Sequence, residues 1–156
     1  MSKIIFLDFD GVLNSQLWYV RTKGSRGRDD LDPQAIEFLN NLIEKTGAEV
    51  VVTSTWRLNR TAEELQDILN RNGFKGTVID KTESFGRPCL RGNEIHQWML
   101  DNVQKIGCYY SDYKQYVIID DDSDMLYWHR NNLILVDGYV GLTPTNVYKA
   151  TKILNN

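Results

Sequence analysis

Short unbroken apolar runs alternate along the chain with longer stretches in which apolar residues recur every three or four positions, and this alternation predicts strands interleaved with helices. Ile4-Ile5-Phe6-Leu7 is the first run. It contains no polar residue, as expected of a parallel strand buried on both faces. Further strands are predicted over residues 48–52, 77–80, 116–119 and 133–136. Asp32-Pro33 supplies a helix cap followed by proline in the first turn, and Ile36, Leu39, Leu42 and Ile43 share one face before Gly47 stops the helix. Thr61 and Glu64 have capping-box spacing ahead of Leu65, Ile68 and Leu69, with Gly73 as the stop. Ile95, Trp98, Met99 and Val103 predict a helix beginning near Gly92, and Thr143-Pro144 opens a last one carrying Val147, Ala150 and Leu154. Residues 15–30 read differently. Thr22-Lys23-Gly24-Ser25-Arg26-Gly27-Arg28 has no core face, so this segment is predicted to be a mobile surface flap.

The strand and helix order implies an α/β fold of three layers, a mainly parallel five-stranded sheet with helices on both faces. Such sheets place their sites at the carboxyl ends of the strands. The first run ends in Asp8-Phe9-Asp10-Gly11, two carboxylates that would repel unless a divalent cation or a neighbouring positive charge compensates them. Thr53 or Ser54 ends the second strand, and Asp120-Asp121-Asp122-Ser123-Asp124 follows the fourth. Arg91 stands just before a predicted helix, where its guanidinium and the first backbone N–H groups can hold an anion together. A hydroxyl, a cation and several carboxylates along one sheet edge suit phosphoryl transfer.

Composition narrows the classes. At 156 residues, 42% of them hydrophobic, the chain is read as a single domain over residues 1–156. A net charge of -3 argues against a surface that coats nucleic acid, while leaving room for a local basic patch. Cys89 and Cys108 form no Cys-x-x-Cys motif, and no apolar stretch is long enough to cross a bilayer. A cytoplasmic protein with no membrane partner is expected. An EF-hand is excluded because Met125 and Asn131 stand where the loop begun by Asp120 would need glycine and glutamate. A phosphate-accepting receiver would spread its acidic residues over different early strands. His96 and His129 lack metal spacing, Trp98 and Trp128 read as core aromatics, and the absence of a dinucleotide or Walker glycine loop predicts no nucleotide cofactor.

Asp8-Phe9-Asp10-Gly11-Val12-Leu13 resembles the first motif of the haloacid dehalogenase (HAD) superfamily phosphatases. Thr53 or Ser54 resembles the second, Arg91 the basic third and Asp120-Asp121 the acidic fourth. Ser54-Thr55-Trp56-Arg57, Arg91-Gly92-Asn93-Glu94-Ile95 with Trp98, and Gly141-Leu142-Thr143 resemble the small HAD domains found alone in phages and bacteria and attached to RNA-repair proteins. The resemblance implies a Rossmann-like fold and hydrolysis of phosphomonoesters through an aspartyl-phosphate. Asp8 would be the nucleophile and Asp10 the general acid, then base. Thr53, preferred over Ser54, and Arg91 would hold the phosphoryl oxygens, with Lys81 and Arg87 as reserve cations. Mg²⁺ would be held by the Asp8 side chain, the Asp10 carbonyl and a fourth-motif carboxylate: Asp121 by first choice, Asp120 as its partner and Asp124 in support. The alternative is a non-catalytic module that binds metal and phosphate.

Only the flap and one helix separate the first two motifs, and one helix and a short strand the next two, so no large cap domain is expected. An open site admits a nucleic-acid end or a phosphoprotein, or a nucleotide covered by a homo-oligomeric partner. The flap cations Arg21, Lys23, Arg26 and Arg28 form either a solvated loop or a hold on a phosphodiester chain.

Overall fold

The computed structural model describes residues 2–156. In chain order the elements are β1 (Ile4–Leu7), α1 (Gln16–Thr22), α2 (Pro33–Thr46), β2 (Glu49–Val52), α3 (Ala62–Arg71), β3 (Val78–Lys81), α4 (Arg91–Asp101), α5 (Val103–Ile106), β4 (Tyr116–Asp120), β5 (Leu133–Leu135) and α6 (Pro144–Leu154). Single 3₁₀ turns occupy Thr55–Arg57 and Tyr127–His129. The sheet is parallel throughout, in the order β3-β2-β1-β4-β5. β1 is therefore central, with Ile4 opposite Glu49 on one side and Tyr116 on the other.

Successive side chains of a strand point to opposite faces, which explains the unbroken apolar runs. Ile5 and Leu7 join Val50 and Val52 under α2, α3 and α6, where Leu39, Leu42, Leu65, Leu69 and Val147 are buried. Ile4 and Phe6 face the other way, into a second cluster with Val51, Ile118, Ile95, Trp98 and Met99. Phe6 meets Trp98 edge-on at 5.4 Å between ring centroids. Truncating so enclosed an aromatic costs about 3–5 kcal/mol.

The helix boundaries follow their caps. Asp32 accepts from Gln34 N at the start of α2, and Gly47 closes it at φ 69°. Thr61 and Glu64 form the capping box of α3, and Thr143 forms another with Asn146 at the start of α6. Three expectations need correction. The stretch 15–30 is not flap throughout: Ser15 caps α1 and Trp18 is only 8% exposed, so its first half has a core face that the glycines of the second half conceal. The helix over Ile95–Val103 breaks at Asn102, whose side chain donates to Trp98 O, so Val103 begins α5 instead of continuing the α4 stripe. Trp98 is a core aromatic, but Trp128 is 54% exposed on a 3₁₀ turn, where one ring face packs edge-on against His96.

Candidate active site

β1 delivers Asp8 to the sheet edge, and the chain turns at Gly11 with φ 80°, a conformation L side chains adopt at a cost. Asn14 locks the turn. Its Oδ1 accepts from Gly11 N and its Nδ2 donates to Asp10 Oδ1, each at 2.9 Å. Trp56 Nε1 donates to the same Asp10 oxygen at 2.9 Å. Asp10 itself is exposed to solvent, so these two donors fix the orientation of an otherwise free carboxylate.

β4 ends at Asp120, which has no exposed surface and whose Oδ1 accepts from Asp122 N. Oxygens of Asp8, Asp120 and Asp121 all lie within 4.8 Å of one another. Arg91 Nη1 bridges the buried pair, 3.2 Å from Asp8 Oδ1 and 2.8 Å from Asp120 Oδ2. Asp124 holds the start of α4 in place: its Oδ2 accepts from Arg91 N and its carbonyl from Gly92 N. Burial and the adjacent Asp120 charge push the Asp8 carboxyl well above the usual carboxylate range, against the pull of Arg91. Asp120 is raised by burial and held down by Arg91. Burial opposes the charge on Arg91, but the Asp8 and Asp120 carboxylates outweigh it and raise its pKa.

Three acidic side chains with hard oxygen donors suit a divalent ion of the Mg²⁺, Mn²⁺ or Ca²⁺ kind. Two glycines make room for the third of them. A Cβ on Gly11 would stand 2.2 Å from Asp121 Oδ2, and one on Gly138 2.8 Å from it. A cavity of about 450 Å³ opens over the cluster, and Asp8, Asp10, Thr55, Arg57 and Arg91 contribute to its wall.

Residues 4–147 match the sequence profile of the HAD domain in Swiss Army Knife RNA repair proteins. The chain belongs to this family. No curated protein and no solved structure matches it. The architecture is that of a Rossmann-like HAD fold without a cap, membership places the chain in the hydrolase and phosphatase superfamily, and the Asp8, Asp120 and Asp121 cluster fits the divalent metal that HAD domains generally use. Among the described residues, no helix is long and apolar enough to cross a membrane.

The HAD domain brings Asp8, Asp10, Arg91, Asp120, Asp121 and Asp124 to one cavity. Thr53 and Ser54 stand behind its wall, both with no exposed surface. Ser54 Oγ accepts from Trp56 N, and Thr53 Oγ1 has no hydrogen-bond partner among the described residues. The exposed hydroxyl neighbour that does reach the wall is Thr55. Of the reserve cations, Arg87 lines the cavity, whereas Lys81 Nζ is occupied by the carbonyls of Arg57 and Arg60. His129 is buried with no hydrogen-bond partner for either ring nitrogen among the described residues, and burial, aided by His96, lowers its pKa to about 4.

Arg57 and Glu94 carry structural roles that their sequence positions alone do not disclose. Arg57 Nη2 donates to Glu94 Oε1 at 2.9 Å, Nη1 to the carbonyls of Thr53 and Ser54, and Nε to Thr82 O. Glu94 Oε2 accepts from Phe85 N. One buried ion pair thus ties the ends of β2 and β3 to the first turn of α4, which carries Arg91. Both residues stand in the motifs quoted above, Ser54-Thr55-Trp56-Arg57 and Arg91-Gly92-Asn93-Glu94-Ile95, but nothing in either motif marks them as partners.

Proposed function

We propose that this HAD domain is a Mg²⁺-dependent phosphomonoesterase working through an aspartyl-phosphate on Asp8. The observation that carries the reading is Asp8 itself: a buried carboxylate at the floor of a cavity, 3.2 Å from a guanidinium and grouped with two further carboxylates. An Asp8 oxygen attacks phosphorus as the bond to the leaving oxygen breaks, and Asp10 gives that oxygen a proton. Asp10 then takes a proton from water, whose oxygen attacks the phosphorus and releases Asp8 with inorganic phosphate. Arg91 is aimed at the phosphoryl oxygens and supplies positive charge where negative charge spreads in the transition state. Thr55 is the hydroxyl of this turn that lies on the cavity wall, within reach of those oxygens, while Ser54 caps the turn that presents it. Asp8, Asp120, Asp121 and the Asp10 carbonyl would hold Mg²⁺, with Asp124 positioning Arg91 beside them. Bound there, the ion supplies the charge that keeps the carboxylates ionised together and offsets that of the transferring group.

The substrate class favoured is a nucleic-acid end or a nucleotide. The family's tie to RNA repair, the absence of a cap and the guanidinium of Arg87 on the cavity rim support it. The proposed setting is the cytoplasm, and a homo-oligomeric partner would serve to cover a small substrate.

The test is phosphate release from end-phosphorylated oligonucleotides, nucleotides and an aryl phosphate, with Mg²⁺ and with chelator. Asp8→Asn should keep its unfolding temperature, lose turnover and carry no acid-stable phosphate after quenching. Near-parent activity in the folded variant overturns the nucleophile. Binding of Mg²⁺ and phosphate with no turnover of any substrate makes the chain a binding module instead.

A further inference from the structure

A second cavity, of about 240 Å³, opens beside the first and shares Asp10 and Thr55 with it; its remaining wall is Arg28, Asp29, Trp56 and Arg60. The side chains there are unevenly partnered. Asp10 accepts from Asn14 and Trp56, Asp29 pairs with Arg60 at 3.4 Å, and Arg28 is exposed with no ion pair or hydrogen bond among the described residues, so of two carboxylates and two guanidinia Arg28 is the one without a partner. Arg60 lies 5.6 Å from the centroid of the Trp56 ring and donates to Trp56 O, which holds its planar group over the indole.

The backbone that carries Arg28 is anchored. Asn72 Nδ2 donates to Asp29 O at 3.0 Å and Asn72 Oδ1 accepts from Leu31 N at 2.8 Å, while Gly27 and Asp30 close a turn across it. Only the Arg28 side chain must be ordered by a ligand, which limits the entropy lost on binding. The other flap cations are placed elsewhere: Arg26 stacks on Tyr19 at 4.0 Å, and Arg21 and Lys23 line neither cavity. Trp56 joins the two cavities directly, because its indole N–H is bonded to Asp10 while its ring forms the second wall.

We infer that Arg28, Arg60 and Trp56 form a second anion subsite that takes another phosphate group of the same substrate, covalently attached one nucleoside away from the phosphate hydrolysed at Asp8. This rests on the phosphomonoesterase reading and deepens it, since it makes the preferred substrate one with two phosphates at a fixed spacing. A phosphodiester in an oligonucleotide and a second terminal phosphate in a nucleoside bisphosphate present the same chemistry. Guanidinium matches either.

The experiment compares kcat/KM for a nucleoside 5′-monophosphate, the corresponding 3′,5′-bisphosphate and a 5′-phosphorylated dinucleotide, each at several salt concentrations. The parent should favour the two substrates that carry a second phosphate by roughly tenfold, the size of one charged hydrogen bond. Arg28→Ala should remove most of that ratio through KM, Arg28→Lys should restore part of it, and the logarithmic salt slope should shrink by about 0.7. Lys23→Ala is the control and should leave the ratio alone. A gain confined to the dinucleotide assigns the subsite to a phosphodiester, and an equal gain with the bisphosphate assigns it to any second phosphate. Turnover of all three with equal losses in Arg28→Ala, or no preference in the parent, overturns the subsite while the phosphatase stands. Absence of all turnover overturns the phosphatase. The subsite is then still read by equilibrium titration of the bisphosphate into Asp8→Asn and Asp8→Asn/Arg28→Ala, and equal affinities there overturn it.

Discussion

Gly138→Ala should separate metal binding from folding. The added methyl group would stand 2.8 Å from Asp121 Oδ2, where non-bonded heavy atoms settle near ~3.5 Å, so one of the two must move by several tenths of an ångström. Asp121 is exposed and its carboxylate is free to rotate, which costs the fold roughly 0.5–1.5 kcal/mol, or about 2–5 °C in a chain of this size. Rotation, however, withdraws its oxygen from the group shared with Asp8 and Asp120. Disturbing the placement of one such group typically weakens a metal site by about 10–100-fold. Gly11→Ala supplies the contrast. There the methyl would stand at 2.2 Å and the backbone has φ 80°, which adds about 1–2 kcal/mol of strain, so this variant should lose both metal and stability. Calorimetric titration with Mg²⁺ and Mn²⁺, beside thermal unfolding without metal, measures the two effects. Parent-like affinity in folded Gly138→Ala, or a fall in unfolding temperature as large as for Gly11→Ala, would refute the role given to Asp121 and to the space around it.

Trp56→Phe removes one of the two donors to Asp10 Oδ1 but keeps a ring against Phe9, so hydrolysis of an alkyl phosphate should fall by on the order of tenfold more than that of nitrophenyl phosphate, whose leaving group needs no proton. Equal losses on both esters would remove Asp10 from proton transfer. Glu94→Ala leaves Arg57 charged and buried without its partner and should cost about 3–5 kcal/mol in urea unfolding; a loss under about 1 kcal/mol would mean the pair is dispensable. His129 has a folded pKa of about 4 against about 6.5 unfolded, so the unfolded chain takes up the proton first. Its contribution is intact above about pH 6.5 and is lost as pH falls towards 4, reaching roughly 2 kcal/mol at pH 5. His129→Phe should lack that loss, and parallel pH curves for parent and variant would contradict the assignment.

The central strands are legible in the chain because a parallel sheet covered on both faces leaves few polar positions inside them, while the edge strand β3 carries Asp80 and Lys81, and Asp8, Asp120 and Asp121 are legible because such sheets gather chemistry at one edge. The end points shift by a residue or two where fraying and cap geometry decide them, as at Ala48 and Val136. Pairings between distant segments are harder to see. Arg57 and Glu94 lie 37 residues apart, and neither is marked by periodicity, so their ion pair emerges only when α4 packs on the end of β2. Thr53, Ser54 and Thr55 show the same limit at short range. Which of three consecutive hydroxyls faces the cavity depends on how the chain leaves the strand, and here it leaves in a 3₁₀ turn that buries the first two. α1 escapes a pattern search because its one well-buried residue, Trp18, stands in a seven-residue helix too short to show a stripe.

The central place of β1 sets the order in which this sheet can be completed. Ile4 pairs with Glu49 early in the chain, but its other edge waits for Tyr116, and until β4 is made the backbone of the innermost strand stays open on one side. Closing so long a loop is entropically expensive, which makes the docking of β4 a natural candidate for the late, slow event in folding. On a ribosome, Asp8 would leave the exit tunnel long before Asp120 could join it. Partly made chains would then expose a four-residue apolar strand edge, a site where chaperones or other strands bind. Binding of a divalent ion would report the last step, because its three carboxylates meet only once the two ends of that long loop are in register.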